Sequence, residues 1–350
     1  MTRQPPTLED VAREAGVSRA TVSRVINGIR NVDPAIQDVV RGVIERTGYT
    51  PNSAARSLVT RRAETIALVV AGAGDDGSGD SGGEGTAFAA QVFADPFFGR
   101  VVDGVITFLR PRSMHPVLMF AESSAARREV VAYLRQGRAD GALIFSTHAE
   151  DPLPALLAAE GLPCVLFARP GDAAPVSYVD LAHQDGGRLA AEHLLDRGCR
   201  QIATVTGPLS LPAAQDRLTG FRDAVARRGH PCVPFAEGGF THDSGAAATA
   251  RLLREHPGID GLFAANDLMA QGACQVLREH GKRVPQDVAV VGFDDSATAR
   301  ACRPRLTTVR QPMEDMAATM ARVLQEHIEG ARTEPTSVIF EPRLVVRESA

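Results

Sequence analysis

From Ile66 onward, short apolar runs alternate with amphipathic stretches of helical period, and this alternation limits the folds open to the chain. The strand-like runs cover 66–70, 116–120, 141–145, 163–167, 201–206, 232–236, 259–264 and 287–292. The helical stretches between them cover 98–110, 126–136, 184–197, 213–228, 245–256, 267–280 and 313–328. Strands that alternate with helices favour parallel sheets covered on both faces. Unbroken runs such as Cys164-Val165-Leu166-Phe167 agree, because parallel strands are buried on both sides. With 350 residues there is room for a small head and a large body of two lobes.

The first sixth of the chain follows other rules. Thr7 and Asp10 have the spacing of a capping box, and Leu8, Val11, Ala12 and Ala15 then fall on one helical face. Gly16 suits the left-handed end of that helix, and Ser18 can cap a second one with Val22, Val25 and Ile26 as its buried stripe. Asn27-Gly28 ends it; Asp33-Pro34 opens a third helix, which Gly48 closes. Two short helices joined by a tight turn form a helix-turn-helix, whose second helix presents its N-terminal residues to base edges. Those residues are Arg19 and Ala20, with Thr21, Ser23 and Arg24 close behind. Arg19 either bonds the two acceptors of a guanine edge or contacts phosphate.

Charge is distributed to match. Residues 1–62 hold ten Arg and six acidic residues, a net of +4, and the other 288 residues carry a net of −8. The cationic face coincides with the helix-turn-helix, so phosphate binding would localise there and weaken with salt. The basic residues are 37 Arg and a single Lys, a skew read as genome composition.

Residues 7–58 resemble the DNA-binding head and hinge of the lactose-repressor (LacI/GalR) family through TLEDVAREAGVSRATVSRVIN and GYTPNSAARSL. The resemblance continues through PFFGRVVDGV, DGGRLAAEHLLDRGCRQIA, DRLTGF, FAANDLMAQG, VPQDVAVVGFDDS, LTTVRQP and LVVRES, in the expected order along nearly the whole chain. It implies an all-α helix-turn-helix head over 1–51, a hinge helix and linker over 52–62, and an effector-binding and dimerisation body over 63–350. That body would be an α/β domain with two lobes of the periplasmic-binding-protein type, crossed three times by the chain. Arg19, Ala20 and Arg24 would read bases. Thr7, Ser18, Thr21, Ser23 and Asn27 would contact the DNA backbone. Asn52, Ala55 and Leu58 would form the hinge, with Leu58 as an apolar wedge in the minor groove.

In open α/β sheets ligands bind beyond the carboxyl ends of strands. Arg217, Asn266 and Asp294 follow such ends, and amide, carboxylate and guanidinium groups together suit a polyhydroxylated ligand. The resemblance places the same three residues, and the aromatic Phe240, at ligand-contacting positions. Gln311 and the pair Phe97-Phe98 are weaker candidates from the opposite lobe; the Phe pair serves either core packing or the pocket. Asp267 and Asp295 are expected to act as helix caps. Ala168-Arg169 stands where the family has an acidic residue near the cleft, which leaves the ligand's identity open.

The expected function is therefore a sequence-specific transcriptional regulator, a repressor on a pseudo-palindromic operator. It would act as a homodimer controlled by a small sugar-like effector. The alternatives are a regulator answering to a nucleoside or purine, or a solute-binding protein of a sugar transporter. The N-terminal helix-turn-helix and the lack of a signal-peptide pattern speak against the transporter component. No GxSxG, Walker A or HExxH pattern occurs, so no enzymatic activity, cofactor or metal is expected. His183, His193, His230, His242 and His256 are scattered and are assigned surface or capping roles. The five Cys show no CxxC spacing and are read as buried, reduced thiols of a cytoplasmic protein. No run reaches membrane-spanning length. Residues 71–91, rich in Gly, Ser and Asp, read as a flexible surface insertion. Nothing after Arg347 resembles a tetramer-forming heptad tail.

Overall fold

The computed structural model describes residues 6–26, 32–49, 62–72, 89, 92–93, 96–146, 151–171, 174–230 and 232–350. Asn27, Asn52, Ala55, Leu58 and nearly all of the segment 71–91 lie outside the described residues. Two compact units emerge, Met1–Ala63 and Glu64–Ala350.

In the first unit, α1 (Leu8–Ala15), α2 (Arg19–Ile26) and α3 (Pro34–Thr47) surround a core of Val11, Ala12, Val22, Val25, Val40 and Val43. The ends are set by local chemistry. Thr7 Oγ1 accepts from the Asp10 amide at 3.3 Å, and the Asp10 carboxylate accepts from the Thr7 amide at 3.0 Å. Gly16 stops α1 at φ +66°, which a residue without Cβ adopts at low cost. Ser18 Oγ accepts from the Thr21 amide at 3.1 Å and so caps α2. Asp33 caps α3 through the Ala35 amide at 2.8 Å, with Pro34 at its first position. Each buried valine contributes about 1.5–3 kcal/mol, so this small core depends on its caps.

The second unit contains two six-stranded sheets. In lobe 1, β1 (Thr65–Ala71), β2 (His115–Ala121), β3 (Gly141–Ser146), β4 (Cys164–Phe167), β5 (Ser177–Leu181) and β11 (Ser337–Phe340) lie in the order β11-β5-β4-β3-β1-β2. In lobe 2, β6 (Ile202–Thr206), β7 (Phe235–Glu237), β8 (Gly261–Ala264), β9 (Ala289–Asp294), β10 (Thr307–Arg310) and β12 (Arg343–Val345) lie in the order β12-β10-β9-β8-β6-β7. All neighbours pair in parallel except β10 and β12. Strands β1, β4 and β6 are buried almost throughout, as their unbroken apolar runs require.

The chain passes between lobes at three places. It leaves β5 for α7 (His183–Asp196), which packs on α8 (Pro212–Arg227) in lobe 2. It returns at Gln311-Pro312 into α12 (Met313–Ile328), which packs on α4 (Pro96–Leu109) and on β3, β4 and β5. It crosses again between β11 and β12. One apolar cluster reaches into both lobes, with Leu68, Val70 and Phe98 at one end and Phe221, Phe263 and Phe293 at the other.

Several elements differ from the sequence reading. The run at 232–236 is largely loop, and β7 begins only at Phe235, because Pro234 has no N–H to give a ladder. Strands β5, β10, β11 and β12 and the short helix α6 (Leu153–Ala159) had no strong periodic signal. The five cysteines are free, but only Cys164, Cys274 and Cys302 are buried; Cys232 is exposed in the loop before β7. Among the described residues no helix is long and apolar enough to cross a membrane.

Candidate functional site: a reading helix and a ligand cleft

The caps and turn of the head place one face of α2 in solvent. Val22 and Val25 point into the core, while Arg19, Ala20 and Arg24 are exposed and Thr21 and Ser23 half-buried. Residues 19, 20, 23 and 24 lie at helical neighbours' spacing and form one continuous surface. Arg19 is paired with Glu9 of α1 at 2.7 Å, both side chains being more than half exposed. An exposed pair of this kind contributes about 0–1 kcal/mol, so the Arg19 guanidinium is released from it at little cost. The hydroxyls of Thr7 and Ser18 are engaged in capping the N-termini of α1 and α2.

In the body, the carboxyl ends of β1, β3, β4 and β5 face those of β6, β8, β9 and β10 across a cavity of about 470 Å³. This lies within the roughly 300–1,000 Å³ range of small-molecule sites. Lobe 1 supplies an aromatic wall. Phe97 meets Phe167 edge-on at 5.4 Å, and Phe167 stacks on Phe145 at 5.2 Å. Lobe 2 supplies the polar wall, built around Arg217.

Arg217 is buried on α8, with its guanidinium 3.7 Å from the Phe293 ring centroid. Its Nε donates to His183 Nδ1 at 3.2 Å, Nη1 to the Ala265 carbonyl at 2.5 Å, and Nη2 to Gln311 Oε1 at 3.2 Å. His183 Nε2 lies 3.2 Å from Asp180 Oδ1, so a neutral ring protonated at Nε2 satisfies both neighbours. Burial, and then the charge of Arg217, hold the His183 pKa below its usual value against the pull of Asp180. Burial opposes ionisation of Asp180, but its bonds to His183 and to the amides of Leu181 and Arg169 outweigh this and keep the carboxyl below its ordinary range. Burial also lowers the Arg217 pKa, with Asp294, Asp180 and Asp267 acting the other way.

The remaining polar groups are fixed by backbone turns. Phe240, Asp294 and Ala168 line the cavity with φ of +60°, +107° and +75°. Such conformations are sparsely populated by residues other than Gly and persist where the surroundings hold them. The Phe240 ring lies over Gly207, where a Cβ would sit 2.1 Å from ring carbon Cζ.

Residues 7–52 match the bacterial regulatory proteins of the lacI family, and residues 191–350 match a periplasmic binding protein-like domain. Over 351 residues the chain is 43% identical to the HTH-type transcriptional regulator CelR of Thermobifida fusca, covering 99% of each. The chain belongs to the lacI family. It is 31% identical over 344 residues to the ribose operon repressor of Halalkalibacterium halodurans, covering 98% of this chain and 96% of that one. Its fold superposes with a TM-score of 0.83 on a lac repressor dimer bound to operator and the anti-inducer ONPF, at 28% identity and 99% coverage of each chain. With a CelR–cellobiose complex the TM-score is 0.75 at 42% identity, covering 99% of this chain and 100% of the other. This lacI-family member is a DNA-binding transcriptional regulator, and the relatives named are regulators rather than enzymes.

The cavity gathers Arg217, Asn266, Asp294, Phe240, Phe97, Phe98 and Gln311, all seven residues singled out from the sequence. Their roles differ from one another. Asn266 caps α10 (Asp267–Glu279) by accepting from the Met269 amide at 2.9 Å, and its Nδ2 donates to the Phe240 carbonyl at 2.8 Å. It therefore shapes the wall as much as it lines it. Gln311 is 1% exposed and sits at a lobe crossing, where it aligns Arg217; it does not project from the opposite lobe. Phe98 is 5% exposed and belongs to the core cluster, while Phe97 is half-buried.

Asp267 and Asp295 are not the caps expected. Asn266 takes that position, and Asp267 is turned inward to accept from Thr308 Oγ1 at 2.6 Å and the Ser296 amide at 2.8 Å. Its burial pushes its pKa up to about 6. Asp295 pairs with Arg347 at 2.5 Å and precedes the N-cap, Ser296, of α11 (Ala297–Ala301). His183, assigned a surface or capping role, is 4% exposed within the Arg217 network.

Sequence reasoning also passed over Arg100, inside the quoted PFFGRVVDGV motif. From α4 it donates to Glu314 Oε1 at 2.7 Å and Oε2 at 2.8 Å, to the Asp294 carbonyl at 2.8 Å and to the Gln311 carbonyl at 3.2 Å. It thus ties lobe 1 to a strand end of lobe 2 beside the ligand wall.

Proposed function

We propose that this regulator is a repressor, acting in the cytoplasm as a homodimer on a pseudo-palindromic operator, and that a neutral sugar of the β-linked disaccharide class binds in the cleft and controls operator affinity. The observation that carries the ligand class is the two-faced cavity. The Phe97–Phe167–Phe145 array offers flat apolar surface to the C–H faces of a sugar, and Arg217, Asp294 and Asn266 offer directional bonds to its hydroxyls. The lining cations Arg217 and Arg169 have carboxylates near them, so no net charge is demanded of the ligand. The solved complex of CelR with cellobiose supports the same class.

Such a ligand touches both lobes and favours the lobe angle that lets both walls reach it. A change of lobe angle would be transmitted through residues 52–62, where Asn52, Ala55 and Leu58 are proposed to order on DNA with Leu58 as the minor-groove wedge. Coupling of two sites is reciprocal: whatever factor the sugar imposes on operator affinity, operator imposes on sugar affinity.

Fluorescence anisotropy with a labelled palindromic site, at fixed salt and with cellobiose, ribose and inosine as additives, tests both halves. Selective binding that only cellobiose alters is expected. Arg19→Ala should weaken the preferred site by roughly tenfold to a hundredfold, confined to one base position per half-site. Equal affinity for random DNA would refute the operator reading, and a response to inosine alone would refute the sugar.

A further inference from the structure

Arg169 is at the outer, more exposed end of the same cavity. It follows Ala168, whose φ of +75° turns the chain sharply after β4. Its amide donates to Asp180 Oδ2 at 3.2 Å, which anchors the backbone to the carboxylate that also holds His183. Its guanidinium then leaves lobe 1 altogether. Nη2 donates to Asp216 Oδ2 of α8 at 2.8 Å, and Asp216 Oδ1 accepts from Gln184 Nε2 of α7 at 3.0 Å.

The pair bridges the two lobes at the cavity mouth, with Arg169 half exposed and Asp216 19% exposed. Around it the rim is Pro170, Gly171, Pro208, Leu211 and Pro212, poor in hydrogen-bonding side chains and with its backbone fixed at the three prolines. The inner end already has its polar set in Arg217, Asp294 and Asn266. A ligand that filled only that end would leave the outer end empty and never touch Arg169.

We propose that Arg169 determines ligand length: held across the mouth by Asp216, it donates to the hydroxyls of a second sugar ring and so selects disaccharides over monosaccharides. This rests on the sugar reading above. The guanidinium has five N–H donors in a planar fork, and the bond to Asp216 uses one nitrogen, leaving others for a ligand oxygen. Pre-organisation by Asp216 spares the ligand the ordering of a long side chain. Asp216 is a positioning residue.

Calorimetric titration of the full chain with cellobiose and with glucose tests this. In Arg169→Ala the cellobiose affinity should fall about tenfold, the loss of one charge-assisted hydrogen bond, while glucose affinity stays within about twofold. Asp216→Asn keeps the shape but loosens Arg169, and should weaken cellobiose by about threefold, again sparing glucose. A parallel fall for both sugars would mean that the bridge only latches the lobes, and would overturn the proposal. So would an unchanged cellobiose constant in Arg169→Ala. If the unaltered protein takes neither sugar, the ligand reading itself falls and this proposal with it.

Discussion

The two lobes of the body have the same strand order, yet they bring opposite chemistry to the cavity between them. Lobe 1 ends its strands in Phe145 and Phe167 and adds Phe97 from α4. Lobe 2 ends its strands in Asn266, Asp294 and Gln311 and adds Arg217 from α8. The frame is therefore indifferent to what it holds, and binding chemistry resides in one or two residues at each strand end. Apolar surface tolerates small misplacements, whereas hydrogen bonds do not. Arg217 of lobe 2 is accordingly held in a fixed network with Gln311 and His183, anchored in turn by Asp180 at the end of β5.

Removing one member from each wall should expose the difference. Arg217→Ala takes away three hydrogen bonds and leaves His183 Nδ1, the Ala265 carbonyl and Gln311 Oε1 short of a donor, at about 1–3 kcal/mol for each buried group left unsatisfied. Sugar affinity should drop by about a hundredfold or more and thermal stability should fall with it; Arg217→Lys should not restore either, since one ammonium nitrogen cannot reach the three acceptors that the separate guanidinium nitrogens serve. Phe97→Ala should cost about tenfold in affinity with little loss of stability, because the ring is only half-buried. Equal effects of the two on stability would erase the proposed contrast between a fixed wall and an adaptable one.

A second pair of variants asks whether the shared frame is equally intolerant in both lobes. In lobe 2, a Cβ on Gly220 would sit 1.9 Å from the Gln184 carbonyl oxygen, so α7 and α8 touch backbone to backbone. In lobe 1, a Cβ on Gly104 would sit 2.4 Å from the Glu314 carbonyl oxygen, where α4 meets α12. Backbone cannot move aside as a side-chain tip can. Gly220→Ala and Gly104→Ala should each cost about 3 kcal/mol, at the upper end of overpacking effects, visible in urea midpoints. The lower midpoint is expected for Gly220→Ala, whose clash lies next to Arg217. Stability near that of the unaltered chain would mean that the helices separate more easily than their contact suggests.

How much of this was legible beforehand follows the same division. The helices at 213–228 and 313–328 were read within a residue of α8 and α12, because their apolar stripes repeat with helical period. Strand β10 was not read. Thr307 and Thr308 look polar but are fully buried, their hydroxyls engaged with the Ala350 carbonyl and Asp267. The short strands β11 and β12 carry too few residues for a period to show. Arg217, Asn266 and Asp294 were accessible because strand ends and family motifs coincide at them. Arg100 was not, since its partners Asp294, Gln311 and Glu314 are far away in sequence; nor were Asp180 and His183, whose link to the polar wall runs through Arg217 on another helix. Asp267 illustrates the limit: a first-turn acid next to Asn266 reads as a cap by local rules, and only the fold shows it facing Thr308.

The smallest expected effect is in acid stability, where the lobes should separate by pH. Asp180 in lobe 1 is held below the usual carboxylate range, so its contribution is complete above about pH 4 and is lost only as pH falls below that. His183 is held below its usual value, so the unfolded chain takes the proton first and stability is lost as pH falls below about 6.5. Asp267, at about 6, works in the opposite direction: the folded state takes its proton first, so acidification between pH 6 and 4 favours folding. The two partly cancel at the lobe 2 side of the cavity, and each is bounded by about 1.4 kcal/mol per pH unit. Thermal midpoints of the full chain between pH 7.5 and 5 should therefore fall only slightly. Asp267→Asn should steepen that fall and His183→Gln should flatten it, the glutamine oxygen still accepting from Arg217. Identical slopes in all three proteins would show that neither group titrates in this window, and the opposite order would overturn the signs assigned to the two groups.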